Sequence, residues 1–516
     1  MLKITNYIAR KNLRVLVILS LAVGCFMSLH SILNGYSAFW YDPARDFMLA
    51  LDNLKNMTLL GSPTGIPGIF YGPYWIWLIS FGLIFSKDPA IIIILLMLIP
   101  YFVIFPLILF KFSKIFSTKT CLALWWLFFF SSGKYFNQLW NVNYAPLVFL
   151  SVIYLITTLF SQTQSRLRMV KLFALSALCA FLVNFHFSFG FSISLATTIF
   201  VTFAELFYLI SINQALLKKT FKFAGDMAVL FLGFLAVETP FLIFETRHQF
   251  IQIKAILNTV IQSVLYSTAV VGQTGLKKPE IIKNLTLVIP SQILEISIMY
   301  LGIIYILIIL TLIYYLIAKK IAFSKVEKSL IIFLFLSQFT TLGVYLSSRN
   351  PIYDYHFYGL EMSVLLLIAL AVEKIGYLKS VLYFWVFLFV VTNMITYYSN
   401  YTKIQYEGTP LWLKKTITKT VYDDAKNNPF SVSVYSPAIY TYDYDYLFLW
   451  LGKQYKNLPK KNTSSTNVVY LIIPQTSRPV YYDFINYKTP NSLYKTQNIW
   501  VTIDGTTILK RQTKTD

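Results

Sequence analysis

Two carboxylates and an arginine lie close together near the beginning of the chain, in the sequence WYDPARD. Asp42 and Asp46 are four residues apart, so on a helix they would share one face, and Arg45 lies between them in sequence. Pro43 suits the first turn of such a helix, and Asp42 suits its N-cap. The pattern has two interpretations: a capped helix with a solvated, charged face, or a carboxylate base at the surface of a membrane.

The elements that must position these residues are membrane helices. Of the 516 residues, 57% are hydrophobic and 13% are charged, whereas soluble globular proteins carry about 25% charged residues. This composition excludes a soluble enzyme, a disordered chain and a secreted disulfide scaffold. The three cysteines each lie in an apolar segment, which indicates small buried side chains. We therefore predict a polytopic protein of the lipid bilayer.

Eleven apolar segments are predicted to span the membrane. They are residues 15–32, 89–110, 120–133, 144–160, two segments within 172–204, and then 227–244, 296–318, 329–348, 357–372 and 380–402. The stretch 172–204 is too long for one span and is expected to turn near Asn184 and His186. Residues 72–86 are apolar but begin with Gly-Pro and are short for a span. As a span they would put most later basic loops outside, so we interpret them as an interfacial helix.

Charge decides the orientation of these spans. The loops predicted to be cytoplasmic hold 19 Lys/Arg and 2 Asp/Glu, and the loops predicted to be outside hold 10 Lys/Arg and 8 Asp/Glu. Because basic residues are enriched in cytoplasmic loops, this bias places the N-terminus in the cytoplasm and the C-terminus outside the cell membrane. The same bias accounts for the net charge of +22 without a nucleic-acid partner.

The sequence changes character at about residue 401, which divides a membrane domain (1–400) from an extracytoplasmic tail (401–516). The tail has 15 Lys/Arg and 8 Asp/Glu and no apolar run of membrane length. A helix is expected after Thr409-Pro410, and strands are expected at 431–436, 467–473 and 499–509, the last with a turn at Asp504-Gly505. The fold class is thus an all-α polytopic membrane domain, with about eleven spans plus interfacial helices, followed by a small α/β domain.

Several cations and histidines fall on the predicted outer side, where they could surround an anionic lipid headgroup. These residues are Lys134, Arg247, His248, Arg349 and His356. A histidine in such a place can equally be a hydrogen-bonded interfacial residue. Glu205, Glu238 and Glu361 lie near or within predicted spans, where an acid is costly and is expected to be functional or paired.

Sequence motifs for cofactors are weak. Asp443-Tyr-Asp445 matches the D-x-D of nucleotide-sugar enzymes, but chance is the better explanation in a tyrosine-rich tail. The chain has no Walker loop, G-x-S-x-G, H-E-x-x-H or paired-cysteine metal motif. The sequence therefore indicates no certain cofactor and leaves a divalent metal open.

Five short motifs follow one another in the first 250 residues. They are YDPARD (41–46), YGPYWIWL (71–78), WNVNYAP (140–146), NFHFS (184–188) and FETRHQF (244–250), with a thinner similarity at YDYHFYGLEM (353–362). Their order and spacing resemble the GT-C glycosyltransferases, in particular the bacterial branch related to protein O-mannosyltransferases and aminoarabinose transferases.

The resemblance implies a membrane glycosyltransferase that uses a polyprenyl-phosphate sugar as donor. Asp42 occupies the position of the family's catalytic base, and Asp46 would orient it or substitute for it. Arg247 and Arg349 are expected to hold the donor phosphate, with Arg45 and the remaining outer cations and histidines as further substrate contacts. The acceptor hydroxyl, on a glycan, a lipid or a protein, would attack the anomeric carbon with inversion. Pro43 stands where the family commonly has a second acid, and this difference argues against a metal-assisted mechanism.

Two other functions fit the same composition. A transporter or flippase of lipid-linked sugars would share a basic outer cavity and intramembrane charges. An assembly subunit without catalytic activity is the third alternative. The absence of repeated halves and the folded outer tail favour the enzyme.

Overall fold

The structure is a computed structural model, and it describes most of the chain. The described residues are 2–65, 68–131, 134–159, 165–211, 216–265, 277–283, 323–348, 352–374, 377–402, 410–437, 440–460 and 466–514. All structural statements below concern these residues. The predicted span at 296–318 and most of the predicted loop at 461–467 lie outside them.

Helices make up almost all of the ordered structure before residue 403. They are α1 (Leu2–Leu33), α2 (Tyr41–Asn53), α3 (Tyr74–Phe85), α4 (Pro89–Lys114), α5 (Thr118–Ser131), α6 (Lys134–Asn137), α7 (Ala145–Leu159), α8 (Ser165–Phe185), α9 (Phe187–Ser211), α10 (Leu216–Arg247), α11 (Ile251–Leu265), α12 (Lys278–Lys283), α13 (Lys325–Ser347), α14 (Glu361–Lys374) and α15 (Tyr377–Thr402). Short 3-10 turns at Asn141–Tyr144 and Asp354–Phe357 precede α7 and α14. Helix α4 contains two π-helical turns, Ile94–Leu98 and Pro100–Ile104.

Eight of the described helices are long and apolar enough to cross a bilayer: α1, α4, α7 with its preceding turn, α8, α9, α10, α13 and α15. They coincide with eight of the eleven predicted spans, and the polytopic helical class is confirmed. The predicted turn in the long apolar stretch is also confirmed, because α8 ends at Phe185 and α9 begins at Phe187.

Two further predicted spans correspond to shorter helices, α5 and α14. Each has 14 residues and so a length of about 21 Å, less than the roughly 30 Å of a hydrocarbon core. Ten of the residues of α5 and twelve of those of α14 are buried, so protein surrounds these helices on most sides. Helix α3 has 12 residues and is also too short to cross, which agrees with an interfacial position for residues 72–86.

The C-terminal segment contains a four-stranded sheet covered by helices. Its elements are α16 (Leu411–Ala425), β1 (Ser431–Val434), α17 (Tyr442–Tyr455), β2 (Val468–Ile473), α18 (Arg478–Lys488), β3 (Tyr494–Val501) and β4 (Thr507–Thr513). The strand order is β1-β2-β4-β3, with β1 and β2 parallel and the other pairs antiparallel. The predicted helix and strands are present, and Gly505 takes the left-handed conformation (φ 82°) that the predicted turn requires.

The side chains of β2 point alternately to the two faces of the sheet and pack into two hydrophobic clusters, one on each face. Tyr470 and Ile472 pack with buried residues of α16 and α17, such as Val421 and Phe448. Val469 and its neighbours on the other face pack with Ile485 of α18 and with other buried residues. Because successive side chains of a strand point to opposite faces, one strand serves both clusters.

The chain forms two compact units. The first consists of residues 1–27, 57–78 and 97–399, and the second of residues 28–56, 79–96 and 400–516. The second unit therefore contains α2 and the other residues up to 56 of the first predicted outer loop, together with the C-terminal sheet. The predicted domain boundary at residue 401 stays a prediction.

Candidate active site

Helix α2 positions the WYDPARD motif through its buried face. Pro43, Ala44, Phe47 and Ala50 of this helix are buried. The carbonyl of Ala50 accepts a hydrogen bond from Ser80 Oγ of α3 at 3.1 Å. The helix begins two residues earlier than predicted, at Tyr41, with Trp40 at the N-cap and no side-chain cap. Asp42 is thus not the N-cap; it lies in the first turn, where the helix dipole still favours an acid.

Arg45 holds both carboxylates of this motif. Its Nη1 donates to Asp42 Oδ1 at 2.9 Å, and its Nη2 and Nε donate to Asp46 Oδ1 at 2.9 and 3.0 Å. Burial opposes the charge on Arg45, but the attraction of Asp46 and Asp42 outweighs it and raises the pKa of the guanidinium. The predicted interpretation as a solvated charged face is therefore incomplete, because this is a partly buried ion cluster.

The two carboxylates differ in their access to solvent. The side chain of Asp46 is 0% exposed, and that of Asp42 is 32% exposed. A buried carboxylate is tolerated only when it is paired, and Arg45 meets that need for Asp46. Asp42 is thus the carboxylate of the pair that is open to solvent, whereas the enclosed Asp46 accepts hydrogen bonds from Arg45.

The C-terminal segment holds the loop that precedes α2. Lys414 of α16 is buried, and its Nζ donates to the Phe39 carbonyl at 2.7 Å and to the Asp443 carboxylate. The backbone amides of Leu411 and Trp412 donate to the carbonyls of Ser37 and Gly35 at 2.9 and 3.0 Å. These bonds fix residues 35–39, three residues before Asp42.

Lys414 and Asp443 were not anticipated as partners from the sequence. Burial lowers the pKa of Lys414, and Asp443 counteracts that effect. Asp443 is thus occupied by a structural ion pair, while Asp445 accepts a hydrogen bond from Thr441 at 3.0 Å. Both acids of the D-x-D match have local partners. Among the described residues, no group of three His, Cys, Asp or Glu side chains is arranged to hold a metal ion.

The FETRHQF motif in the first unit is a corner between α10 and α11. Gln249 and Phe250 adopt left-handed backbone conformations, and the Glu245 carboxylate accepts from the amides of Gln252 and Ile253 at the start of α11. Arg247 and His248 are exposed at this corner. The His248 ring stacks on Phe244 with 4.0 Å between ring centres.

His356 lies in the 3-10 turn Asp354–Phe357. Its Nδ1 accepts a hydrogen bond from the Tyr353 amide at 2.8 Å, and its ring lies 6.0 Å from that of His186. Burial lowers the pKa of His356 to about 4, so the ring is neutral at pH 7 and contributes no positive charge. The backbone of Lys134 belongs to α6, and Arg349 lies outside the described residues.

The acids near or within the predicted spans have partners that the sequence could not supply. Glu205 and Asp226 both pair with Arg168 of α8. Glu238 accepts a hydrogen bond from Asn184 Nδ2 at 2.7 Å. Glu361 accepts from the Tyr135 hydroxyl and from the Gly359 amide. These pairings satisfy the expectation that acids near or within spans are functional or paired.

The sequence matches no protein-family model and no curated protein. Among solved structures, the chain is similar to the oligosaccharyltransferase of Archaeoglobus fulgidus in complex with Zn and sulfate (TM-score 0.46, 12% identity, 95% of this chain and 72% of that one). It is also similar to ArnT of Cupriavidus metallidurans bound to undecaprenyl phosphate (TM-score 0.43, 10% identity, 96% and 97% of the two chains). The apo state of the same ArnT gives a TM-score of 0.44 at 10% identity, over 97% and 98% of the two chains.

Proposed function

We propose that this protein is a GT-C membrane glycosyltransferase. It transfers a sugar from a polyprenyl-phosphate donor to an acceptor hydroxyl on the outer face of the cell membrane. The motifs of the first 250 residues support the class, and the eight apolar helices support the membrane setting. The observation that carries the mechanism is the unequal exposure of the two carboxylates that Arg45 holds.

The reaction needs a base on one side of the sugar and a stabilised leaving group on the other. The acceptor oxygen forms a bond to the anomeric carbon, and the bond from that carbon to the phosphate oxygen breaks. The electron pair leaves with the phosphate, and the acceptor proton passes to Asp42. Attack from the face opposite the phosphate inverts the anomeric centre. A positioned base of this kind typically contributes about 10²–10⁴-fold to the rate.

Arg45 and Asp46 serve Asp42 in this proposal. Two hydrogen bonds to the same oxygen of buried Asp46 fix the guanidinium, which then fixes one oxygen of Asp42. Because the three described bonds of Arg45 go to carboxylates, we assign it a positioning role. Direct contact between Arg45 and the substrate stays a prediction.

Exposed cations would stabilise the departing phosphate. Arg247 is exposed beside His248, and a guanidinium matches a phosphate through two parallel hydrogen bonds. We therefore propose Arg247 as a phosphate ligand, together with Arg349 as predicted from the sequence. His248 and Lys134 remain secondary candidates. His356 is a weaker candidate because its ring is neutral at pH 7.

Proteoliposomes loaded with undecaprenyl-phosphate sugars, radiolabelled in the sugar, test this proposal. The wild type is expected to release undecaprenyl phosphate and transfer the label to an acceptor in a membrane extract. Asp42→Asn should reduce the rate by about 10²-fold or more with donor binding retained. Asp52→Asn is the matched control, since Asp52 lies on the same helix with its side chain 75% exposed. Movement of the lipid-linked sugar across the bilayer without bond cleavage would instead identify a flippase.

A further inference from the structure

Three tyrosine rings form a cluster beside the candidate base, all within the second compact unit. The ring of Tyr41 lies 5.7 Å from that of Tyr440 and 5.4 Å from that of Tyr442. The rings of Tyr440 and Tyr442 are parallel within 4°, with 5.6 Å between their centres. We name these three residues the tyrosine cluster.

The cluster is continuous with the ion cluster of α2. Tyr41 immediately precedes Asp42, and the Arg45 guanidinium carbon lies 5.5 Å from the centre of the Tyr41 ring. A ligand that touches the exposed part of Asp42 is therefore within reach of the tyrosine rings.

The fold of the C-terminal segment does not need these rings in its core. Tyr444 and Tyr446, later in the same tyrosine-rich run, are buried, and the Tyr446 hydroxyl donates to the Lys87 carbonyl at 2.7 Å. Tyr440, in contrast, is 55% exposed. A large ring held partly in solvent by two neighbouring rings is a ready binding surface, because tyrosine supplies contact area with few rotatable bonds.

We propose that the tyrosine cluster binds one face of a pyranose ring. The inference deepens the proposed function, on which it rests. A pyranose carries C–H groups on its faces, which pack on the electron-rich face of an aromatic ring, and hydroxyls on its edge, which can bond to phenol oxygens. The sugar belongs either to the donor or to a glycan acceptor. The chemistry of binding is the same in both.

Saturation-transfer NMR on the detergent-solubilised full chain tests the subsite without any need for turnover. The probes are the methyl glycosides of glucose, galactose, mannose and N-acetylglucosamine at millimolar concentration. At least one glycoside is expected to bind the wild type. Tyr440→Ala and Tyr442→Ala should weaken that binding by about two- to tenfold, whereas Tyr440→Phe should retain most of it because the ring remains.

Two further variants separate binding from folding. Tyr440→Leu keeps apolar volume but lacks a ring, so it should bind the glycoside as weakly as Tyr440→Ala while unfolding at the wild-type temperature. Tyr487→Ala is the matched control, because Tyr487 is an exposed tyrosine of α18, and it should leave binding unchanged. Equal binding by wild type, Tyr440→Ala and Tyr440→Leu would overturn the proposal, as would loss of binding in Tyr487→Ala alone.

Saturating the protein with an undecaprenyl-phosphate sugar shows whether the tyrosine cluster binds the sugar of the donor or that of a glycan acceptor. A glycoside signal that disappears assigns the cluster to the donor's sugar, and a signal that persists assigns it to the acceptor. Glycoside binding that depends on Tyr440 in a protein that shows no transfer would preserve the subsite and reject the proposed enzyme instead.

Discussion

Two ion clusters of the same composition, one arginine with two carboxylates, lie in the two compact units of this protein. In the first unit, Arg168 pairs with Glu205 and Asp226, whose side chains are 1% and 9% exposed. In the second unit, Arg45 pairs with Asp46, which is fully buried, and with Asp42, which is 32% exposed. The arginines are alike, at 13% and 12% exposed. Of the four carboxylates, only that of Asp42 is open to solvent.

This difference separates a structural cluster from one that can react. A carboxylate sealed against water can balance a buried charge, but it cannot meet an acceptor hydroxyl. A carboxylate held by the same kind of arginine and left partly open can do both. Four predictions test this contrast, from the largest expected effect to the smallest.

Breaking the sealed cluster should destabilise the protein. Glu205→Gln leaves Arg168 with less compensating charge, and removing one partner of a buried pair costs about 3–5 kcal/mol. Thermal unfolding in detergent should show a large decrease for this variant. Glu280→Gln, a change at an exposed residue, is the control. An unchanged unfolding temperature for Glu205→Gln would mean that the Arg168 cluster does not contribute to the stability of the fold.

Loosening the open cluster should reduce the rate more than the stability. Asp46→Asn removes the negative charge that holds the Arg45 guanidinium in place. Because Arg45 then positions Asp42 less firmly, we expect turnover to fall by about tenfold, less than for Asp42→Asn. The losses of the two variants should not add, because both residues act through Arg45. Multiplicative losses in the double variant would show that Asp46 acts independently.

The bond from Lys414 to the Phe39 carbonyl should position the base. Lys414→Met removes that bond and the partner of Asp443, so kcat should fall by about tenfold with donor KM nearly unchanged. Lys414→Arg should restore part of the rate, because a cation returns to the same place. Lys419→Met, at an exposed position of α16, is the matched control. Equal changes in kcat and KM would argue for general loss of structure.

Arg247 should affect donor binding rather than the chemical step. Arg247→Glu is expected to raise donor KM severalfold, and Arg247→Lys should raise it less, because an ammonium lacks the two-pronged fork of a guanidinium. Binding of undecaprenyl phosphate measures this directly. Unchanged affinity in Arg247→Glu would remove Arg247 from the phosphate site.

The secondary structure could be predicted from local sequence pattern and periodicity. The spans, the turn before Phe187 and the strands of the C-terminal sheet follow from apolar runs and alternation, which a single sequence displays. The shared face of Asp42 and Asp46 follows from helical spacing in the same way.

Contacts between distant segments lay beyond the sequence. Lys414 and Phe39 are 375 residues apart, and the local sequence around neither residue predicts their hydrogen bond. The pairing of Arg168 with Glu205 depends on how α8 packs against α9, which no local pattern encodes. Exposure, which distinguishes Asp42 from Asp46, is likewise a property of the packed structure. The sequence alone therefore could not distinguish the roles that we propose for the two acids.

Chemical rescue with formate tests the central claim most directly. Asp42→Ala and Asp46→Ala each remove one carboxylate, and formate is a carboxylate small enough to enter an open space. The exposure difference predicts that formate restores turnover to Asp42→Ala in a concentration-dependent manner and leaves Asp46→Ala unchanged, because that site is sealed. Rescue of Asp46→Ala with no rescue of Asp42→Ala would contradict the assignment of Asp42 as the base.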